Sequence, residues 1–166
     1  DDQWIRQHTG IRQRRFALKE NTSDLCYQTA KKLLDQSGLT ASQIDLIIVA
    51  TITPDALTPA TAVLVQNKLK ADNAFAFDIS AACAGFVFAL STAEKFLRSG
   101  NYQHAIVLAG EVNSKMLDFK DRTSAVFFGD GAGGVLLSVT DDQSKEFFRG
   151  EKLLTNPQPA VIHSGR

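Results

Sequence analysis

Three short apolar runs lack the clean alternation of a half-exposed strand: "IDLIIVAT" at residues 44–51, "AFAFDI" at 74–79 and "HAIVLAGE" at 104–111. Strands covered on both faces read this way. Segments of helical character lie between and before them. In "TSDLCYQTAKKLLDQSG", residues Leu25, Ala30, Leu33 and Leu34 approximate one apolar face. Thr22 or Ser23 is placed to cap that helix, Asp24 sits in its first turn, and Gly38 can close it. Pro59 is suited to begin a second helix over "ATAVLVQNKLK". The stretch "CAGFVFALSTAEKFLRSG" predicts a third, ending at Gly100. Further on, "AVFF", "GDGAGG" and "VLLSVT" predict two more pieces of strand around a tight glycine turn. Residues 1–20 are polar and basic, 112–124 are irregular, and the chain from 141 onward has no clear pattern.

Alternating helices and strands imply an α/β architecture with helices on both faces of the sheet. The order begins with a helix, as though an edge strand were missing, and the tail "NPQPAVIHSGR" closes nothing. The expectation is a part of a longer protein. Residues 1–140 would form its N-terminal half, and 141–166 an irregular tail or the start of a connection.

Composition narrows the function classes. The 166 residues are 44% hydrophobic and 22% charged, enough apolar content for a buried core. Lys plus Arg and Asp plus Glu both number 18, so no net charge steers the chain toward nucleic acid or an anionic membrane. No apolar run approaches the ~20 residues of a membrane span. Cys26 and Cys83 have no metal-type spacing, and His8, His104 and His163 are scattered, so no metal site is expected. Two thiols do not make a disulfide framework, and a cytoplasmic protein is expected.

The segment "DISAACAGFVFAL", residues 78–90, carries the chemistry. Cys83 falls where the run 74–79 hands over to a helix, among Ser80, Ala81, Ala82, Ala84 and Gly85. Ligands of open α/β sheets bind outside the carboxyl ends of the strands. A helix N-terminus favours a thiolate, and small neighbours permit a sharp turn and a close substrate approach. The competing reading is a small buried hydrophobe. For Cys26, inside a helix beside Leu25, core packing is the better reading. "GDGAGG" matches the dinucleotide-binding pattern literally, but strand-like residues follow it where a helix is required, so that reading is rejected. The Arg-rich start with Trp4 could hold a phosphate-bearing ligand, with a solvated charged surface as the alternative.

"WIRQHTGIRQRR", "DISAACAGFVFALSTA" and "DRTSAVFFGDGAGGVLL" occur in an order and spacing that resemble the β-ketoacyl-acyl-carrier-protein synthase III family of the thiolase superfamily, from about Trp4 to Val139. The resemblance implies a thiolase-like half: a mixed, mostly parallel five-stranded sheet with helices on both faces. It implies a condensing enzyme that initiates fatty-acid biosynthesis. Cys83 would be the nucleophile that takes an acyl group from acyl-CoA, and malonyl-acyl-carrier protein would lose CO2 as it attacks the acyl-enzyme. Coenzyme A would then be part of a substrate, with no resident cofactor.

By the same resemblance Trp4 and Arg122 would stack on the two faces of the coenzyme's adenine. Phe128 would line the cysteine pocket, and Thr58 would reach into a partner's acyl pocket across a homodimer, where its small size would admit a larger primer. His8 stands where an arginine is common near the coenzyme's phosphates, so that contact is not carried over. The family's histidine and asparagine belong to a second half, and neither His104 nor His163 stands in a matching motif. Related acyl-CoA condensing enzymes are the neighbouring reading, among them 3-hydroxy-3-methylglutaryl-CoA synthase and quinolone- or polyketide-type synthases. A non-catalytic acyl-binding module is the reading from a different class.

Overall fold

The computed structural model describes residues 2–121 and 123–156. The chain opens with α1 (Asp2–Thr9), which the sequence reading did not anticipate. It is held locally: Arg6 pairs with Asp2 at 2.8 Å one turn earlier, and the His8 ring stacks on Trp4 at 4.4 Å. Those interactions leave no apolar periodicity to read, and α1 buries none of its residues.

The second helix, α2 (Thr22–Ser37), is capped by Asn21 rather than by Thr22 or Ser23. The Asp24 carboxylate accepts a hydrogen bond from the Asn21 amide at 2.8 Å. Thr22, Cys26, Ala30 and Leu34 recur every four residues and form its buried face. Gly38 ends it at φ 74°, a left-handed conformation that favours glycine.

Next come β1 (Leu46–Ala50), α3 (Thr61–Leu69), β2 (Phe75–Ile79), α4 (Gly85–Arg98), β3 (His104–Val112) and β4 (Asp130–Ser138). The strands form one sheet in the order β2-β1-β3-β4. The first three are parallel, and β4 runs antiparallel to β3. Successive residues of the central strands serve opposite faces. Ile47, Val49, Ile106 and Leu108 pack with α2 and α3, whereas Leu46, Ile48, Ala105 and Val107 pack with α4. Burial on both sides explains why these strands show no alternation in sequence.

The expected α/β class with helices on both faces is therefore observed, with four strands among the described residues instead of five. "AVFF" lies in a turn over 123–127, and the glycine-rich segment forms the opening of β4 instead of a tight turn. A close approach explains the glycine at 134: a Cβ there would lie 2.5 Å from the Val107 carbonyl oxygen. The run at 74–79 is an edge strand: Ala76 packs on the α2 and α3 side and Phe75, Phe77 and Ile79 on the α4 side, but the residues of β2 are only half-buried. Among the described residues no helix is long and apolar enough to cross a membrane.

Candidate active site

The carboxyl ends of β1, β2 and β3 and the start of β4 all lie at one end of the sheet. Cys83 stands there. After Ile79 the chain turns through Ala82 at φ 46°, makes a short 3-10 turn over Ala82–Ala84, and enters α4 at Gly85. A left-handed alanine costs about 1–2 kcal/mol. Surrounding contacts hold it. The Thr51 amide donates to the Ile79 carbonyl at 3.1 Å, and the Ala84 amide to the Ala81 carbonyl at 3.1 Å. Gly85 sits so close to β1 that an added Cβ would be 3.2 Å from that of Ala50. Small residues then repeat along the buried face of α4 at Gly85, Ala89 and Ala93, letting the helix lie close on the sheet. The result is an exposed thiol at the mouth of a helix, at the sheet end where α/β proteins bind ligands.

Carboxylates brace the ground around it. Asp78, the first residue of the cysteine motif, accepts hydrogen bonds from the Thr61 and Ala62 amides, both at 2.7 Å, and so caps α3 from β2. Glu111 accepts from the Ile52 amide at 2.9 Å and from the Thr53 and Thr51 hydroxyls at 2.6 and 3.2 Å. Asp55 accepts from the Ser23 amide and hydroxyl at 2.8 and 2.5 Å. The loop over 51–60, which carries Thr58, is thus pinned to β3, α2 and, through α3, to β2. Thr58 itself is exposed.

Cys26 differs from Cys83 in every respect. It is fully buried on α2, and burial pushes its thiol up to about 12, with Asp55, Asp78 and Glu111 adding to the effect. It also explains Gly110 on β3, where an added Cβ would run into the Cys26 Sγ.

Trp4 projects from α1 and is half-exposed, with His8 stacked on its ring. Arg122 lies outside the described residues, as does His163. Phe128 is half-exposed just before β4, packs edge-on to Phe127, and its carbonyl accepts from Arg14 Nη1 at 2.8 Å. Arg14 also donates to the Ala125 carbonyl, so it serves the backbone of this turn. Cys83, the Thr58 loop and Phe128 share one end of the sheet, with the axes of β2 and β4 roughly 14 Å apart across it. Asp78, Glu111 and Asp55 went unread in the sequence because each is a lone carboxylate whose partners are distant backbone amides and hydroxyls.

The comparisons with known proteins agree with this geometry. The family model for 3-oxoacyl-[acyl-carrier-protein (ACP)] synthase III matches residues 77–154, which include the cysteine turn and the glycine strand. β-Ketoacyl-[acyl-carrier-protein] synthase III 1 of Lactiplantibacillus plantarum is 63% identical over 99% of the chain and 51% of its own length. The corresponding protein of Enterococcus faecalis is 55% identical over 99% and 50%. The chain spans about half the length of the curated relatives it matches. Among solved structures, 3-oxoacyl-[acyl-carrier-protein] synthase III from Aquifex aeolicus superposes with a TM-score of 0.83 and 44% identity, over 86% of this chain and 46% of that one. The priming β-ketosynthase of the R1128 polyketide pathway gives 0.82 and 38%, over 86% and 43%. With its cysteine turn, its mixed sheet and this similarity along almost all of its length, the chain is similar to about half of a β-ketoacyl-[acyl-carrier-protein] synthase III.

Proposed function

We propose that this chain carries the acyl-accepting cysteine of a condensing enzyme that starts fatty-acid synthesis. The observation that supports the reading is the exposed Cys83 on the left-handed turn between β2 and α4. In the first step the Cys83 sulfur, as thiolate, attacks the carbonyl carbon of acyl-CoA. The bond from that carbon to the coenzyme's sulfur breaks, and coenzyme A leaves as a thiolate. The exchange of one thioester for another of similar energy suits sulfur chemistry. In the second step the carboxylate carbon of malonyl-acyl-carrier protein departs as CO2. The electron pair of the broken C–C bond attacks the acyl carbonyl, and the bond to Cys83 Sγ breaks to return the thiolate. Coenzyme A enters as part of a substrate, and no resident cofactor takes part.

Trp4 and Arg122 are proposed to contact the coenzyme's adenine, and Phe128 and Thr58 the acyl chain. Residues 1–140 act as the unit that presents the nucleophile. The segment after β4 leads away from it, held against α4 by Glu146 with Arg98 at 3.1 Å and by Glu151 with Lys95. The half-buried edge of β2 is proposed to pair with its copy in a homodimer, since an apolar strand edge left open invites association. A cytoplasmic location goes with this chemistry.

The test is transfer of a radiolabelled acyl group from acyl-CoA to the complete protein, followed by peptide mapping. Label on the Cys83 peptide, lost in Cys83→Ser and retained in Cys26→Ser, is the expected outcome. Acylation that persists in Cys83→Ser overturns the reading. Sedimentation at micromolar concentration checks the dimer, which a monomer would refute.

A further inference from the structure

The segment "GDGAGG" leads into a strand and not a helix, and its first two residues have another use. Gly129 lies directly under the Arg-rich segment near the N-terminus: an added Cβ would be 3.1 Å from the Arg15 carbonyl oxygen and 3.3 Å from the Arg14 Cβ. The next residue grips that segment. The Asp130 amide donates to the Arg15 carbonyl at 2.8 Å. One oxygen of its carboxylate accepts from the Ala17 amide at 2.7 Å and the Ser114 hydroxyl at 2.5 Å, and the other accepts from the Ser114 amide at 2.8 Å. Burial pushes the Asp130 carboxyl up, but the hydrogen bonds from Ser114 and Ala17 and the charge of Lys115 outweigh it and hold it below its ordinary value. Beside it, Arg14 donates to the carbonyls of Ala125 and Phe128, and its guanidinium lies 5.2 Å from the centre of the Phe16 ring. Phe16 packs edge-on to Phe119.

These contacts matter because the N-terminal region has no buried anchor among the described residues. α1 buries no residue, and none of residues 10–18 is buried either. The hydrogen bonds that tie residues 14–17 to the start of β4 therefore contribute to the position of α1, and of Trp4 on it. The same bonds hold the turn that ends in Phe128.

We infer that Asp130 is a positioning residue that clamps residues 14–17 onto the start of β4, and so sets the Trp4 helix and the Phe128 turn in one register for the coenzyme A thioester. This inference rests on the proposed acyl-CoA reaction. Asp130 touches no substrate and acts through the segments it joins.

The test compares Asp130→Asn with the parent in the complete protein. An amide cannot accept from all three donors, so one is left opposed. The KM for acyl-CoA is expected to rise about tenfold, with kcat per titratable Cys83 within about twofold of the parent. The Kd for free coenzyme A by calorimetry should rise in parallel. Tryptic cleavage after Arg12, Arg14 or Arg15 should accelerate. Arg14→Lys keeps the charge but loses the fork that reaches two carbonyls, and is expected to raise KM in the same direction. A phosphate-binding role for Arg14 would instead leave that KM near the parent's.

An unchanged KM with a smaller titratable Cys83 fraction would show Asp130 to be merely stabilising, and would overturn the inference. Unchanged tryptic cleavage in both variants would overturn it as well. A parent that accepts no acyl group, with cleavage still accelerated in Asp130→Asn, would refute the proposed reaction and the functional part of the inference while leaving the clamp in place.

Discussion

Alkylation of the two cysteines separates a reaction site from a packing site. The perturbation is iodoacetamide on the native, complete protein, pulsed at pH 7, 8 and 9. Cys83 is exposed and Cys26 is fully buried. The Cys26 thiol is pushed up to about 12. At pH 8 a group with that value is ionised to about one part in 10⁴, against roughly one part in four for an ordinary thiol near 8.5. The thiolate is the reacting form, so charge alone slows Cys26 about 10³-fold against an ordinary thiol. The need for the helix α2 to open before reagent can enter slows it further. Digestion and mass spectrometry of the Cys26 and Cys83 peptides follow both sites at once. The expected result is modification of Cys83 with Cys26 at least about 10³-fold slower throughout the range. Labelling of Cys26 within tenfold of Cys83, or a Cys83 that stays unlabelled at pH 9 while Cys26 reacts, would refute the reasoning and remove the centre of the proposed mechanism.

The same raised value predicts a loss of stability at alkaline pH. Between about pH 9 and 12 the unfolded chain releases the Cys26 proton and the folded chain keeps it, so denaturant midpoints should fall through that window, and Cys26→Ala should flatten the decline. Gly110→Ala drives a Cβ into Cys26 Sγ, with Thr22 Cγ2 at 3.3 Å and Ala132 Cβ at 3.4 Å leaving no room to shift. It should cost about 1–3 kcal/mol in urea unfolding, and less in the Cys26→Ala background; equal costs in both backgrounds would contradict the contact. Ala82→Gly removes the left-handed alanine ahead of the thiol, at φ 46°. The relief of about 1–2 kcal/mol is partly offset by about 0.5–1 kcal/mol of extra unfolded-chain entropy, so the variant should be neutral to slightly more stable, and a clear loss of stability would show that the turn is not strained.

Local chemistry along the chain was enough for the apolar runs at β1 and β3, the helices α2 and α4, and the cysteine between β2 and α4. Each depends on neighbours in sequence: branched residues in a run, apolar positions a turn apart, small residues around one thiol. Similarity of three motifs added the family. The remaining features depend on partners far away in the chain. The strand at 74–79 reads as buried from its composition, but sheet order makes it an edge. The "GDGAGG" segment reads as a turn because glycines usually punctuate, whereas Gly134 is small to let Val107 approach and Gly129 to let Arg14 and Arg15 lie across it. No periodicity announced α1, since it buries nothing. Asp78, Glu111 and Asp130 look like ordinary surface charges until the fold brings amides and hydroxyls from other elements within hydrogen-bonding distance of them. A sequence displays propensity and pattern; a carboxylate's partners, the spare room beside a glycine and the place of a strand in its sheet exist only once distant segments have been packed together.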